Sequence, residues 1–155
     1  MEDDLLYIVG PGTTTKAIKD RIAPDGILLG VDVVQNRRFL AKDVGESDLL
    51  RLLDGQRAKI IVTVIGGQKY IFGRGNQQIS PAVIKQVGKS NIIVVATKDK
   101  LANLAAKPLP VDTGDEETNL MLSGYIRVLV GYNDIIMAKV TPKMERRSLC
   151  SILHL

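Results

Sequence analysis

The sequence predicts an α/β domain: a largely parallel or mixed sheet flanked by helices, with an antiparallel hairpin near the C-terminus. Three observations lead there. Aliphatic runs of strand length recur at 5–9, 27–34, 59–65 and 91–96, and their near-continuous hydrophobicity suits strands buried on both faces. Segments with helical spacing and helix start or stop signals lie between them, which is the pattern of strand–helix–strand units. Finally, the strand-like runs YIRVLVGY and IIMAKV, in the stretch 125–140, are separated by the turn-forming Asn133 and Asp134.

In chain order, Leu5–Val9 reads as a buried strand ended by Gly10, Pro11 and Gly12. Thr13–Arg21 follows as a helix, capped by Thr13 or Thr14, with Ala17, Ile18 and Ile22 at helical spacing. Residues 27–34 (ILLGVDVV) form the next strand, interrupted only by the charge of Asp32, and 39–44 continue as its partner. Glu46–Leu53 is a short helix with Gly55 just beyond its end. Residues 59–65 (KIIVTVI) are a central strand stopped by Gly66 and Gly67; 69–72 alternate as a following strand would. Ser80 caps a helix that opens on Pro81 and closes at Gly88, the expected N-terminal Pro and C-terminal Gly asymmetry. A strand over 91–96 and a helix over 98–106 come next, after which Pro108 and Pro110 impose an extended segment. Residues 111–118 are polar and acidic, and 141–155 show no clear period. The expected organisation is one domain over 1–140 and a tail over 141–155.

Composition narrows the class. A chain of 155 residues with 45% hydrophobic content can build one sizeable core. A net charge of +4 suits anionic small ligands and nucleic acid alike. Aromatics at 4% and no basic block beyond Arg146, Arg147 and their neighbours argue against nucleic acid. One cysteine, Cys150, leaves no internal disulfide and no cysteine-built zinc site. The one histidine, His154, gives triads and histidine–metal sites almost nothing to work with, so no metal site is assigned. The acidic opening MEDD is unlike a secretory signal, and no apolar run reaches about 18 residues, so no membrane association is expected and a reducing cytoplasm fits best.

Four features carry candidate chemistry. In VGPGTTTKAI (9–18) a strand meets a glycine turn and then a helix start rich in hydroxyls. Gly10 and Gly12 let backbone approach an anion, N–H groups at the helix start donate to phosphate oxygens, Thr13, Thr14 and Thr15 add hydroxyls, and Lys16 adds charge. The spacing is neither that of the P-loop nor that of the dinucleotide fingerprint, and a capped helix after a tight turn explains it equally well. In IGGQKYIFGRGNQQISP (65–81), Gly66, Gly67, Gln68, Gly73, Arg74, Gly75, Asn76, Gln77 and Gln78 combine backbone access, a guanidinium fork for phosphate and amides able to read a base or ribose edge. The alternative is a polar loop spaced by turn glycines. In VDTGDEET (111–118), Asp112 and Asp115 are the candidate catalytic carboxylates, able to hold a hydroxyl, ligate magnesium or act as a base; a locally bonded acidic turn is the other reading. Asp32, inside an aliphatic run, is either a ligand group at a strand's carboxyl edge or a structural carboxylate satisfied by backbone amides.

The blocks GPGTTTKAI, LLGVDVV, GGQKYIFGRGNQQISP, NIIVVAT, VDTGD and GYIRVLVGY resemble, in this order, the C-terminal part of the ATP-NAD kinase family that includes AcoX-like proteins, over roughly residues 5–140. The resemblance implies a domain that completes a nucleotide site whose GGDGT-type phosphate loop lies in an N-terminal half. It also implies NAD and ATP or polyphosphate, with magnesium, as ligands, and Gly10–Thr15 and Gly73–Gln78 as two ligand loops. No GGDGT occurs in this sequence. The chain alone is therefore expected to be inactive in phosphoryl transfer, with an N-terminal half or a second copy as possible partner. Two departures stand out: Lys69 occupies a place where the family has a further glycine, and residues from Met144 onward do not look like it. A phosphosugar- or nucleotide-binding sensor or isomerase-like domain is the rival reading, because a glycine–threonine loop after a strand also looks like sugar-phosphate isomerases.

Overall fold

The computed structural model describes residues 1–23, 25–65, 69–102 and 107–143. In order they form β1 (Leu6–Val9), α1 (Thr13–Ile22), β2 (Asp32–Gln35), β3 (Arg38–Ala41), α2 (Glu46–Leu53), β4 (Ala58–Thr63), α3 (Pro81–Val87), β5 (Ile92–Val95), α4 (Lys98–Ala102), β6 (Leu109–Val111), α5 (Glu116–Leu122), β7 (Gly124–Gly131) and β8 (Asp134–Pro142).

The strands make one sheet in the order β3-β2-β1-β4-β5-β7-β8-β6. Its centre is parallel, with Ile8 opposite Ile60, Ile61 opposite Ile93 and Val94 opposite Val128. β2 and β3 continue it antiparallel on one side, and the β7–β8 hairpin does so on the other. β6 lies parallel to β8 at that far edge. The fold is thus the α/β class with a mixed sheet and the C-terminal hairpin that the sequence predicts.

Strand residues alternate between two cores. Leu6, Ile8, Ile60, Val62, Val94 and Val128 face a cluster completed by Leu49 and Leu53 of α2, Val83, Ile84 and Val87 of α3 and Leu122 of α5. Tyr7, Val9, Ile61 and Val95 face the other side, where Ile18 and Ile22 of α1 pack. Hence α1 lies on one face of the sheet and α2, α3 and α5 on the other.

Several elements differ from expectation. The run 27–34 is a strand only from Asp32 onward, because Lys19 of α1 reaches out of the helix and engages the carbonyls of Ile27 (2.7 Å) and Gly30 (2.8 Å). Carbonyls held that way leave the run irregular. α1 is capped by Gly12, not Thr13 or Thr14: Gly12 sits at φ +123 and the Thr15 hydroxyl donates back to its carbonyl at 3.1 Å. Residues 70–72 do not become a strand; single bridges join Ile65 to Tyr70 and Phe72 to Val111. The acidic segment past Gly114 is helical, since Asp115 caps α5 by accepting from the Thr118 N–H at 3.0 Å. The helix expected over 98–106 is seen as Lys98–Ala102, and 103–106 and 144–155 lie outside the described residues.

Candidate functional site

Adjacent parallel strands β1 and β4 send their chains to opposite faces: β1 leads into α1 on one side and β4 into α3 on the other. Where neighbouring connections diverge like this, a crevice opens beyond the carboxyl ends of the strands, and open α/β sheets bind ligands there. The first glycine loop occupies one wall of the crevice. Gly10 donates to the Ile61 carbonyl (2.9 Å) and Gly12 to that of Leu28 (2.9 Å), which fixes the turn against β4 and against the 27–31 segment.

Gly12 is required by both conformation and space. A Cβ there would lie 2.6 Å from Thr63 Cγ2, at the end of β4, and its φ of +123 is rare for other residues. Because glycine offers no side-chain cap, the α1 start has no side-chain hydrogen bond, and no acidic residue stands in its first turn. The N–H groups of Thr13, Thr14 and Thr15 therefore remain as donors, with the partial positive charge of the helix start.

Side-chain charge falls differently from the sequence reading. Lys16 forms an ion pair with Asp20, one turn further along α1. Lys100 of α4 instead comes to the loop, its Nζ 3.4 Å from Thr14 Oγ1 across 86 residues of sequence. Lys100 carried no local signal, since its placement depends on how β5 seats α4. Thr63 carried one: it is the single hydroxyl in KIIVTVI, and it is buried with no hydrogen-bond partner for Oγ1 among the described residues.

The second glycine loop meets the first at one end, where a Cβ on Gly10 would lie 3.7 Å from Ile79 Cδ1. Asn76 is wholly buried; its Oδ1 accepts from Gly73 N (3.2 Å) and its Nδ2 donates to the Ile71 carbonyl (2.8 Å), so it closes the loop internally. Arg74, half exposed, pairs with Asp112 at 3.7 Å and lies 5.3 Å from the centre of the Tyr70 ring. Gly75 and Gln77 are exposed and Gln78 is partly so. Gly66, Gly67 and Gln68 lie outside the described residues.

The remaining carboxylates are engaged. Asp32 is fully buried, pairs with Lys19 at 3.0 Å, and accepts from Ile27 N (3.2 Å) and Asp43 N (2.9 Å). Burial pulls the Lys19 ammonium below its usual range, and Asp32 opposes that pull. Asp112 meets Arg74 and Lys143. Asp115 accepts from the Thr118 hydroxyl and N–H and pairs with Lys85 at 3.0 Å; the Thr118 hydroxyl first, then Lys85, lowers its carboxyl from 3.8 to about 2. No group of three or more His, Cys, Asp or Glu side chains among the described residues is placed to hold a metal ion.

Asp115 sets a pH test. Its folded pKa is depressed, so its contribution to stability is present above about pH 4 and is lost as pH falls through about 2. Asp115→Asn keeps a capping acceptor and removes the charge. The melting temperature of the variant is expected to fall less steeply than that of the wild type between pH 4 and 2, followed by circular dichroism. Parallel curves would remove Asp115 from the acid transition.

A glycine–threonine turn thus lies at the switch point of a mixed α/β sheet, which places the chain among doubly wound α/β domains. Residues 2–140 match the family described as ATP-NAD kinase C-terminal domain, and the chain belongs to that family. No curated protein and no solved structure matches it. No helix among the described residues is long and apolar enough to cross a membrane.

Proposed function

We propose that this domain binds a phosphorylated nucleotide at the β1/β4 crevice and serves as the nucleotide-binding part of an NAD kinase-type phosphotransferase acting on NAD with ATP or polyphosphate. The observation that carries the reading is the uncapped start of α1 behind Gly12, beside β4 at the switch point. Gly10–Thr15 provide the backbone donors, and Arg74 at the second loop is a candidate for a further phosphate. This reading assigns the domain positioning and charge neutralisation, which dominate phosphoryl transfer. Asp112 and Asp115 have little share in it, being tied to Arg74, Lys143, Lys85 and Thr118. On the same reading the chain alone, which contains no GGDGT, turns over no NAD, and a cytoplasmic site of action fits.

The test uses proline. Thr13 is the first residue of α1, where proline is tolerated and deletes only an N–H that has no helical partner, and the preceding Gly12 is already extended at ψ 162. Thr13→Pro is expected to melt close to wild type. Its affinity for the tightest of NAD, NADP, ATP and ribose 5-phosphate is expected to drop by about 1.5–3 kcal/mol, the worth of a hydrogen bond to a charged group. In wild type, a ligand at 100 times its Kd should add about 2.7 kcal/mol of stability, readable as a thermal shift. Unchanged affinity in the variant would take the helix start out of the site.

A further inference from the structure

We infer that the outer face of the β7–β8 hairpin docks an acidic amphipathic helix of a partner polypeptide, lying along the hairpin with its apolar stripe down and carboxylates on both flanks. The inference is independent of the nucleotide reading, since β5 separates this face from β4 and the crevice.

Ile126, Val128 and Val140 point into the core shared with α2, α3 and α5. Their neighbours along the strands therefore face the other side, where α1 packs against β1 and β4. The cross-strand rows on that side are Tyr125 with Lys139, Arg127 with Met137 and Leu129 with Ile135. No described helix covers them: Tyr125 is 65% exposed, Met137 57% and Ile135 53%. A contiguous apolar patch of this kind marks an interaction surface, and Tyr, Met and Arg are residues enriched in such surfaces. Tyr125, Arg127 and Met137 also line a cavity of about 560 Å³ that extends to Lys89 and Ile92, a socket for an anchoring side chain.

Layer geometry selects a helix, because sheets of this class carry helices on both faces. Neighbouring strands are about 4.8 Å apart and a helix with its side chains is about 10 Å across, so one helix covers the hairpin. Three rows two residues apart extend for about 13 Å, or roughly nine residues of helix. Charge selects the occupant. Arg127 and Lys139 have no ion-pair partner among the described residues, and Asp134, the acid of this hairpin, is held by Lys98 at 2.7 Å. The two cations stand on different strands in successive rows, so they lie on opposite sides of a helix placed between them. A second copy would set the same two cations against each other, and residues 144–155 would bring Arg146 and Arg147 against Glu145. An apolar stripe edged by carboxylates on both sides matches the face where those occupants do not.

The probe is a displayed library of helices of about 16 residues, with Leu at i, i+4, i+7 and i+11 and Glu, Lys or Ser at random on both flanks, selected against the full chain. Glu is expected to outnumber Lys at the flanks by about fivefold or more. By fluorescence anisotropy, the selected peptide should bind Met137→Ser and Arg127→Gln about tenfold more weakly than wild type. Leu120→Ser, at an exposed site on α5, should stay within about twofold. With Arg127→Glu and Lys139→Glu combined, selection should favour Lys instead. These positions are all exposed, so the variants are expected to melt close to wild type. Selection no better than on a blank surface, flanks without acidic bias, or affinity indifferent to Met137 and Arg127 overturns the inference. So does a dimer, seen by analytical ultracentrifugation, that Met137→Ser dissociates, since a second copy then fills the face. Deletion of residues 144–155 that strengthens peptide binding about tenfold also overturns it, because the tail is then the occupant.

Discussion

Asp32→Ala is expected to lower the free energy of unfolding by roughly 3–5 kcal/mol, because it leaves the buried Lys19 ammonium without its counter-charge. The effect should exceed the pair itself. Asp32 also accepts from Ile27 N and Asp43 N, and Lys19 also donates to the Ile27 and Gly30 carbonyls. The two side chains together thus satisfy four backbone groups. Many buried ion pairs can be exchanged for apolar residues at little cost. Here Lys19→Met combined with Asp32→Leu would orphan those four groups, so the double variant is expected to stay close to the single ones. Urea unfolding of the cycle measures this. A double variant as stable as wild type would show that the 26–32 segment is held by something else.

Gly73→Ala is expected to cost about 3 kcal/mol or more. Its Cβ would lie 1.7 Å from the Asp112 carbonyl oxygen and 2.3 Å from the carbonyl carbon, both backbone atoms that no rotamer can move, and φ there is +92. Relief requires the 70–73 segment to part from residues 110–112, and with it the bonds Ile71 N to Pro110 O and Asp112 N to Phe72 O. Thermal unfolding reads the loss. A cost under about 1 kcal/mol would mean that the two segments can separate freely.

The sheet was largely readable from the sequence because its central strands are buried on both faces, and continuous runs such as KIIVTVI and NIIVVA admit few other structures. The helix over 81–87 was readable for the same local reasons: Ser80, Pro81 and Gly88 act through their own backbone. What escaped was set by distance along the chain. ILLGVDVV reads as one strand until Lys19, eight residues or more upstream, takes two of its carbonyls. β6 holds only three residues, the middle one Pro110 and the first preceded by Pro108, and becomes a strand because β8 lies beside it. The first loop was legible as a glycine turn before a helix. Its charge was not, since Lys16 and Lys100 exchange roles only once α4 is seated. Asp32 was legible as an anomaly, and the identity of its partner was not.

The place of β6 has a bearing on how the domain is made. Leu109–Val111 pair with Val140–Pro142, so this edge strand must wait for about thirty more residues to leave the ribosome, roughly 2–6 seconds at ordinary rates of synthesis. Ile71 and Phe72 wait longer still, because their own partner is that same edge. β1 to β4 have all their neighbours in hand well before. The nascent domain therefore assembles from its N-terminal side outward, and the Arg74 loop, encoded near the middle of the chain, is among the last parts to be anchored.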